Sequence, residues 1–327
     1  RSVLLASVNQ GRQVLKGSFY ESGTPVTIPA ALADGNYRIV VVSDADNQVF
    51  EQGRDPNSGV SATLTIGHAD LRPTLLTAPD SAQSASTITV GWEITNAGTR
   101  PVAGTWVDRV YLSRDASVGA GDRLIGEFTR SGPLTAGGAY TGSASIALPV
   151  DLEGDWNLIV VTDAANAVLE TGAEGDNTRV RPIAIALAPY ADLEVSAVTA
   201  PAQTIADPAH VTIGWTVTNR GTGRGITDTW VDRIVAVPVN GGGEIVLGSY
   251  TRSGGLEKDA SYSRSENLIL PAGFSGRYTL VVRTDAAGTV FENGLEQNNA
   301  AQAPDFFDVM PYAYADLQVA KIGRAHV

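Results

Sequence analysis

The stretch Thr87–Thr95, with the sequence TITVGWEIT, decides the fold class. Its apolar residues occupy every second position, while threonine, glycine and glutamate fill the others. This spacing is typical of a strand buried on one face, because successive side chains of a strand point to opposite faces. The same alternation returns later in the chain, at Val211, Ile213, Trp215 and Val217.

Further short runs of the same kind predict an all-β chain. Trp106–Ser113, Ala144–Leu148 and Trp156–Thr162 read as strands, and the last of these has counterparts at Tyr37–Ser43 and Tyr278–Thr284. No stretch of ten or more residues has the three-and-four spacing of a helix. Strands this short, separated by Gly, Pro and Asp turns, predict a Greek-key β-sandwich of seven to nine strands in roughly 120 residues.

The strand Thr87–Thr95 and its counterpart in the second repeat are each followed by a turn signal. Asn96-Ala97-Gly98 and Asn219-Arg220-Gly221 supply residues that tolerate positive φ. We expect these segments to reverse the chain into the next strand as hairpin turns.

Internal repeats organise the chain. The triplet ADL begins at Ala69, Ala191 and Ala315, and TWVDR occurs at Thr105 and Thr229. Similarity at a long fixed period indicates tandem modules. We therefore expect four segments: the C-terminal half of a truncated repeat (1–68), two complete repeats (69–190 and 191–314), and the start of a further repeat (315–327).

Composition excludes several classes of partner. The chain of 327 residues has 35 acidic and 23 basic side chains, a net charge of −12, and no basic block. Nucleic acid is therefore not an expected partner. The absence of cysteine excludes disulfides and thiolate chemistry. The apolar runs are shorter than the roughly 18 residues of a spanning helix, so we expect no membrane insertion in this segment.

The last seven residues, KIGRAHV (Lys321–Val327), resemble a translated sequencing adapter. We expect this tail to be non-native, and the chain to be an internal fragment of a longer protein whose export signal lies elsewhere.

Four motifs in a fixed order resemble a known family. They are the opening ADL, the TN-x-GT segment, the W-x-D strand with VYLSRD (Val110–Asp115), and the closing DAANAVLE with a downstream Asn. Together they resemble the bacterial cell-adhesion-related repeat, the CARDB type of immunoglobulin-like domain. The resemblance implies a non-catalytic extracytoplasmic β-sandwich, arranged in tandem in large surface or secreted bacterial proteins, with no fixed ligand.

Each complete repeat ends in a set of oxygen-bearing side chains with identical spacing. The two sets are Asp163, Glu170, Glu174 and Asn177, and Asp285, Glu292, Glu296 and Asn299. Calcium prefers oxygen ligands, so the sets are candidate Ca²⁺ sites and Ca²⁺ is the one cofactor to consider. The alternative is that the Asp and Asn residues cap turns while the glutamates face water.

Asp108 and Asp232 share a strand face with Trp106 and Trp230, so we expect their carboxylates to point into the core. There each carboxylate would need an Arg or backbone amides as partner. Trp92 and Trp215 lie in phase with the apolar stripe and are expected in the core.

Enzyme motifs are absent, so we expect no catalysis. The expected function is a structural or adhesive spacer in a bacterial surface or extracellular protein, with other repeats of the chain as partners. Two alternatives remain. The repeats could bind an extracellular carbohydrate or protein through their loops, or serve as accessory domains of a secreted hydrolase.

Overall fold

The computed structural model describes residues 2–52 and 57–312. These residues form two compact units. The first comprises the described residues of Arg1–Ala82 with Ser86–Leu148 and Glu153–Ile185, and the second comprises Gln83–Ala85, Pro149–Leu152 and the described residues from Ala186 onwards. The adapter-like tail and the expected start of a further repeat lie outside the described residues.

The described residues before residue 68 form four strands of three residues each. They form two separate two-stranded antiparallel sheets, β1 with β4 and β2 with β3. The strands are β1 (Gly35–Tyr37), β2 (Val40–Val42), β3 (Ser58–Val60) and β4 (Leu64–Ile66).

The first complete repeat contains eight strands in two sheets. One sheet has the order β10-β7-β5 and the other has the order β6-β12-β11-β8-β9. The strands are β5 (Leu71–Thr77), β6 (Ser81–Gln83), β7 (Thr87–Asn96), β8 (Thr105–Ser113), β9 (Arg123–Ser131), β10 (Ala139–Ala147), β11 (Gly154–Val161) and β12 (Thr178–Ala186). A short 3₁₀ helix, Glu174–Asp176, precedes β12.

The second repeat follows the same plan. Its sheets have the orders β13-β15-β18 and β14-β21-β19-β16-β17, and β20 also pairs with β19. The strands are β13 (Leu193–Thr199), β14 (Gln203–Ile205), β15 (His210–Asn219), β16 (Thr229–Pro238), β17 (Ile245–Ser253), β18 (Ser261–Ile269), β19 (Gly276–Arg283), β20 (Ala300–Gln302) and β21 (Phe307–Met310). A 3₁₀ helix spans Glu296–Asn298.

Each pair of sheets encloses one apolar core. In β7 every second residue is buried, as the alternation predicts, and Trp92 and Trp215 are each 2% exposed. Trp92 packs on Phe128 of the opposite sheet, and Trp215 packs on Tyr250 in the same way. The predicted all-β class with tandem β-sandwich repeats is confirmed, and the described residues contain no α-helix.

The prediction of hairpin turns after β7 and β15 is wrong. β7 and β8 lie in different sheets, so the chain crosses between sheets here. None of Asn96, Gly98, Asn219 and Gly221 has a positive φ. Asn96 and Asn219 are instead fully buried, and their side chains stabilise the segment that crosses between the sheets. Asn96 accepts the N–H of Asp70 at 3.1 Å and donates to the carbonyl of Arg100 at 2.7 Å.

Gly98 and Gly221 in this crossing segment lie too close to neighbouring backbone to accommodate a side chain. A Cβ at Gly98 would overlap the backbone of His68 and Ala69, and a Cβ at Gly221 would overlap the backbone of Tyr190 and Ala191.

We therefore expect Gly98→Ala to lower the free energy of unfolding of the first repeat by about 1–3 kcal/mol, the usual cost of forcing extra atoms into a packed site. Chemical denaturation followed by tryptophan fluorescence measures it. Gly119→Ala is the matched control, because nothing lies within 4 Å of a Cβ there. Equal losses in the two variants would contradict the steric explanation.

Candidate functional site

The candidate ligands lie in the closing loop of each repeat, which we define as residues 162–177 in repeat one and 284–299 in repeat two. Each loop follows a central strand of the larger sheet, β11 or β19, and ends in the 3₁₀ helix. The loops share sequence spacing, but their side chains divide into three different roles.

The aspartates that open the loops cap turns. Asp163 has a φ of 45°, and its two carboxylate oxygens accept the N–H groups of Ala167 and Val168 at 2.9 and 2.8 Å. Asp285 does the same with Thr289 and Val290 at 2.9 and 2.8 Å. Asp44 of the partial copy caps the equivalent turn. These carboxylates are thus used for local structure, as the turn-cap alternative predicts.

The first glutamates of the loops do not face water, so that part of the alternative is wrong. Glu170 and Glu292 are both completely buried. Glu170 Oε1 accepts the N–H of Leu71, the first residue of β5, and Glu292 Oε1 accepts the N–H of Leu193 at 3.1 Å. Glutamate and leucine are 99 residues apart in both repeats. We call this contact the glutamate clasp, because it joins the first strand of a repeat to its closing loop.

Burial raises the pKa of both glutamates of the clasp. Removal from water raises the pKa of the Glu170 carboxyl to about 7, and the hydrogen bonds from Leu71 and Asn177 offset only part of this effect. Burial likewise raises the pKa of Glu292 to about 8, with the neighbouring Glu296 carboxylate adding to the rise. A carboxylate in a low-dielectric site binds its proton more tightly than in water.

The remaining loop residues are arranged differently in the two repeats. Asn177 donates its amide to Glu170 Oε2 at 2.7 Å. Its counterpart Asn299 instead donates to Glu296 Oε2 at 2.8 Å. Glu174 is exposed and accepts the N–H of Glu170 at 3.3 Å. Within residues 2–52 and 57–312, no three Asp, Glu or His side chains converge as a metal centre. Calcium binding by these loops stays a prediction.

Asp108 is completely buried and lies between the sheets, which confirms its predicted orientation. The expected arginine is present, since Arg130 of the neighbouring strand β9 pairs with the carboxylate, but the hydrogen bonds come from other side chains. Trp92 Nε1 donates to it at 3.0 Å, the Tyr140 hydroxyl at 2.8 Å and the Thr162 hydroxyl at 2.9 Å, while Arg130 Nε lies 3.6 Å away. Burial and the adjacent Asp108 raise the pKa of Tyr140, so its hydroxyl stays protonated and donates.

Repeat two contains the same network around Asp232. Its donors are Trp215 at 2.9 Å, Tyr262 at 2.8 Å and Thr284 at 2.8 Å. We call these two groups the aspartate networks. The sequence contained a signal for the tyrosine and threonine partners, because both recur at fixed places in each repeat, but the pattern of one strand alone does not reveal contacts across the two sheets.

These contacts define repeat one as a structural β-sandwich module whose recurring carboxylates serve internal hydrogen bonds. More particularly, the family model of the CARDB domain matches residues 68–181, which cover most of the first complete repeat. CARDB is a non-catalytic module of extracellular and surface proteins with an adhesion-related or accessory role.

The solved structures that are similar to this chain have low sequence identity to it. The CARDB domain of a Pyrococcus furiosus protein, crystallised in complex with di-metal ions, is 20% identical, with a TM-score of 0.30, covering 37% of this chain and 96% of that one. The solution structure of that domain is 18% identical, covering 37% and 97%, with a TM-score of 0.28. A transglutaminase of red sea bream is 13% identical, covering 73% and 31%, with a TM-score of 0.23.

No curated protein matches the chain. In the described part of the chain, no helix combines the length and the apolar character needed to cross a membrane.

The aspartate network predicts a large effect from a small substitution. Thr162→Val keeps the shape of the side chain but removes one donor to a buried carboxylate. We therefore expect the free energy of unfolding of repeat one to fall by about 1–3 kcal/mol. Urea denaturation measures it. Thr89→Val, on the exposed face of β7, should stay within about 0.5 kcal/mol of the parent. Similar values for both variants would show that Asp108 does not need this donor.

The clasp predicts a pH dependence. The folded pKa of Glu170, about 7, exceeds the ordinary value of 4.5, so the folded state holds the proton more tightly. This contribution to stability is therefore complete below pH 4.5 and is lost as the pH rises towards 7. Glu170→Gln should flatten this part of the profile, measured by urea denaturation in chelator-containing buffer. Glu153→Gln, an exposed glutamate of the same repeat, should leave the slope unchanged, and an unchanged slope in Glu170→Gln would refute the assignment.

Proposed function

We propose that this chain is a spacer segment of a bacterial surface or secreted protein, and that it resists tension. It is built from tandem CARDB-type repeats, and its partners are other repeats of the same chain. The family match supports an adhesion-related or accessory role. The spacer role rests chiefly on one observation, which is the glutamate clasp at the same place in both repeats.

The clasp strengthens the point at which tension enters a repeat. The first strand of each repeat, β5 or β13, lies at the edge of its sheet and pairs with only one neighbour. A pull on the start of the repeat would peel this edge strand first. The clasp adds a hydrogen bond from its first residue to a fully buried carboxylate in the closing loop. This hydrogen bond must break before the edge strand can peel away, so the clasp opposes peeling.

The burial of the tryptophans argues against the alternative of carbohydrate binding. Stacking on a sugar requires an exposed aromatic face. All five tryptophans of the chain are between 2% and 8% exposed, and they are Trp92, Trp106, Trp156, Trp215 and Trp230. They belong to the core or its border, so a sugar site built on tryptophan is not available in the folded repeats.

Single-molecule pulling on the full chain tests the spacer role. We expect two main unfolding events, each releasing about 40 nm of chain, since roughly 120 residues extend by about 3.5 Å each. Glu170→Ala should lower the unfolding force of one event and leave the other unchanged, and Glu292→Ala should do the reverse.

Glu153→Ala is the matched control for these variants, because this glutamate of repeat one is exposed and is not part of the clasp. Unfolding at negligible force, or forces that neither glutamate variant alters, would overturn the proposal. Specific retention of the intact chain on a glycan array would instead favour the binding alternative.

A further inference from the structure

Repeat two contains buried oxygen atoms without hydrogen-bond donors. Glu292 is completely buried, and its Oε2 has no hydrogen-bond partner, although its Oε1 is held by Leu193. The Oδ1 atoms of Asn298 and Asn299 are also buried without a partner, and Asn299 is only 8% exposed. Buried polar atoms are normally satisfied, and the unpartnered oxygen of a completely buried carboxylate in particular calls for an explanation such as a bound ion.

The described residues of repeat two place no paired arginine at this loop. Asn299 donates its amide to Glu296 Oε2 at 2.8 Å, so the Glu296 carboxylate lies beside the buried group. Five arginines of the same repeat pair with other carboxylates instead, namely Arg220 with Glu194, Arg224 with Asp228, Arg264 with Glu266, Arg277 with Asp308 and Arg283 with Glu244. Two adjacent carboxylates, one of them completely buried, favour a positive charge between them.

We infer that the closing loop of repeat two binds a divalent cation of the calcium type through Glu292, Glu296 and Asn299. All the donors are oxygens, which calcium prefers, and main-chain carbonyls and water can complete its six to eight ligands. Asp285 is not a ligand, because backbone amides occupy both of its oxygens. With only two carboxylates, the expected affinity is that of extracellular calcium modules, with a dissociation constant of roughly 0.1–1 mM.

Repeat one is an internal control for the buried glutamate alone, because the Oδ1 atoms of Asp176 and Asn177 lack partners there just as those of Asn298 and Asn299 do in repeat two. Both oxygens of Glu170 accept hydrogen bonds, from Leu71 and from Asn177. Arg72 supplies a positive charge at the edge of the loop, where it bridges Asp70 and Asp176 at 3.2 and 2.6 Å. Position 72 corresponds to Glu194 in repeat two, so that bridge cannot form there. We therefore expect the cation in repeat two only. This inference does not depend on the spacer role.

Titration of the full, metal-free chain with calcium chloride at pH 8, followed by isothermal calorimetry, tests the site. We expect one calcium ion per chain. Glu296→Gln should weaken binding at least roughly tenfold, since it removes one of the two carboxylates. Glu174→Gln, the same change at the equivalent position of repeat one, should leave binding unchanged. Both residues are exposed, so both variants are expected to fold, and tryptophan fluorescence checks this.

Three results would overturn the inference. The parent chain could bind no calcium up to 10 mM, roughly ten times the weakest expected dissociation constant, which would mean that a proton neutralises Glu292. Binding could survive Glu296→Gln, or it could weaken equally in Glu174→Gln, as for loosely held ions on an acidic surface. Magnesium chloride serves as the comparison ion, and weaker binding of this smaller cation supports a site of the calcium type.

Discussion

The buried carboxylate at the centre of each sandwich is the interaction on which the rest of a repeat depends. Asp108 projects from one sheet and takes hydrogen bonds from Trp92 and Tyr140, which belong to the other. A buried carboxylate without partners would strongly favour unfolding. The two sheets must therefore meet in the one register that brings these donors to it. The recurrence of the whole network around Asp232 indicates that this requirement belongs to the module.

The glutamate clasp extends the same principle to the edge of the sandwich. The aspartate networks fix how the sheets face each other, and the clasp fixes where the first strand begins. Both use a buried acid whose partners come from distant parts of the chain, so neither can form before the sheets are assembled. Because the acids have their donors only in the complete repeat, a partly unfolded repeat would leave buried charge unsatisfied. This favours cooperative unfolding of each repeat, which is consistent with the spacer role proposed above.

The sequence predicted the features that depend on local pattern. Alternation identified β7 and β8, and placed Trp92 and Asp108 in the core. The alternation could not predict that Trp92 and Tyr140 donate hydrogen bonds to Asp108, because contacts across two sheets depend on how the sheets pack. The segment after β7 was misread because Asn and Gly suit both a hairpin and a crossing. The burial of Glu170 had no local signal, since the chain around it has no strand periodicity.

The closing loops show where the two repeats are free to differ. The aspartate network and the clasp are the same in both repeats, whereas the residues around the clasp vary in charge: Arg72 and Asp176 in one correspond to Glu194 and Asn298 in the other. In repeat one a guanidinium binds two carboxylates at this edge. In repeat two that positive charge is gone, while the buried acid remains because the clasp requires it. An acid fixed by the fold, next to residues that vary, is a place where neighbouring modules of one chain can acquire different ion dependence without any change in architecture.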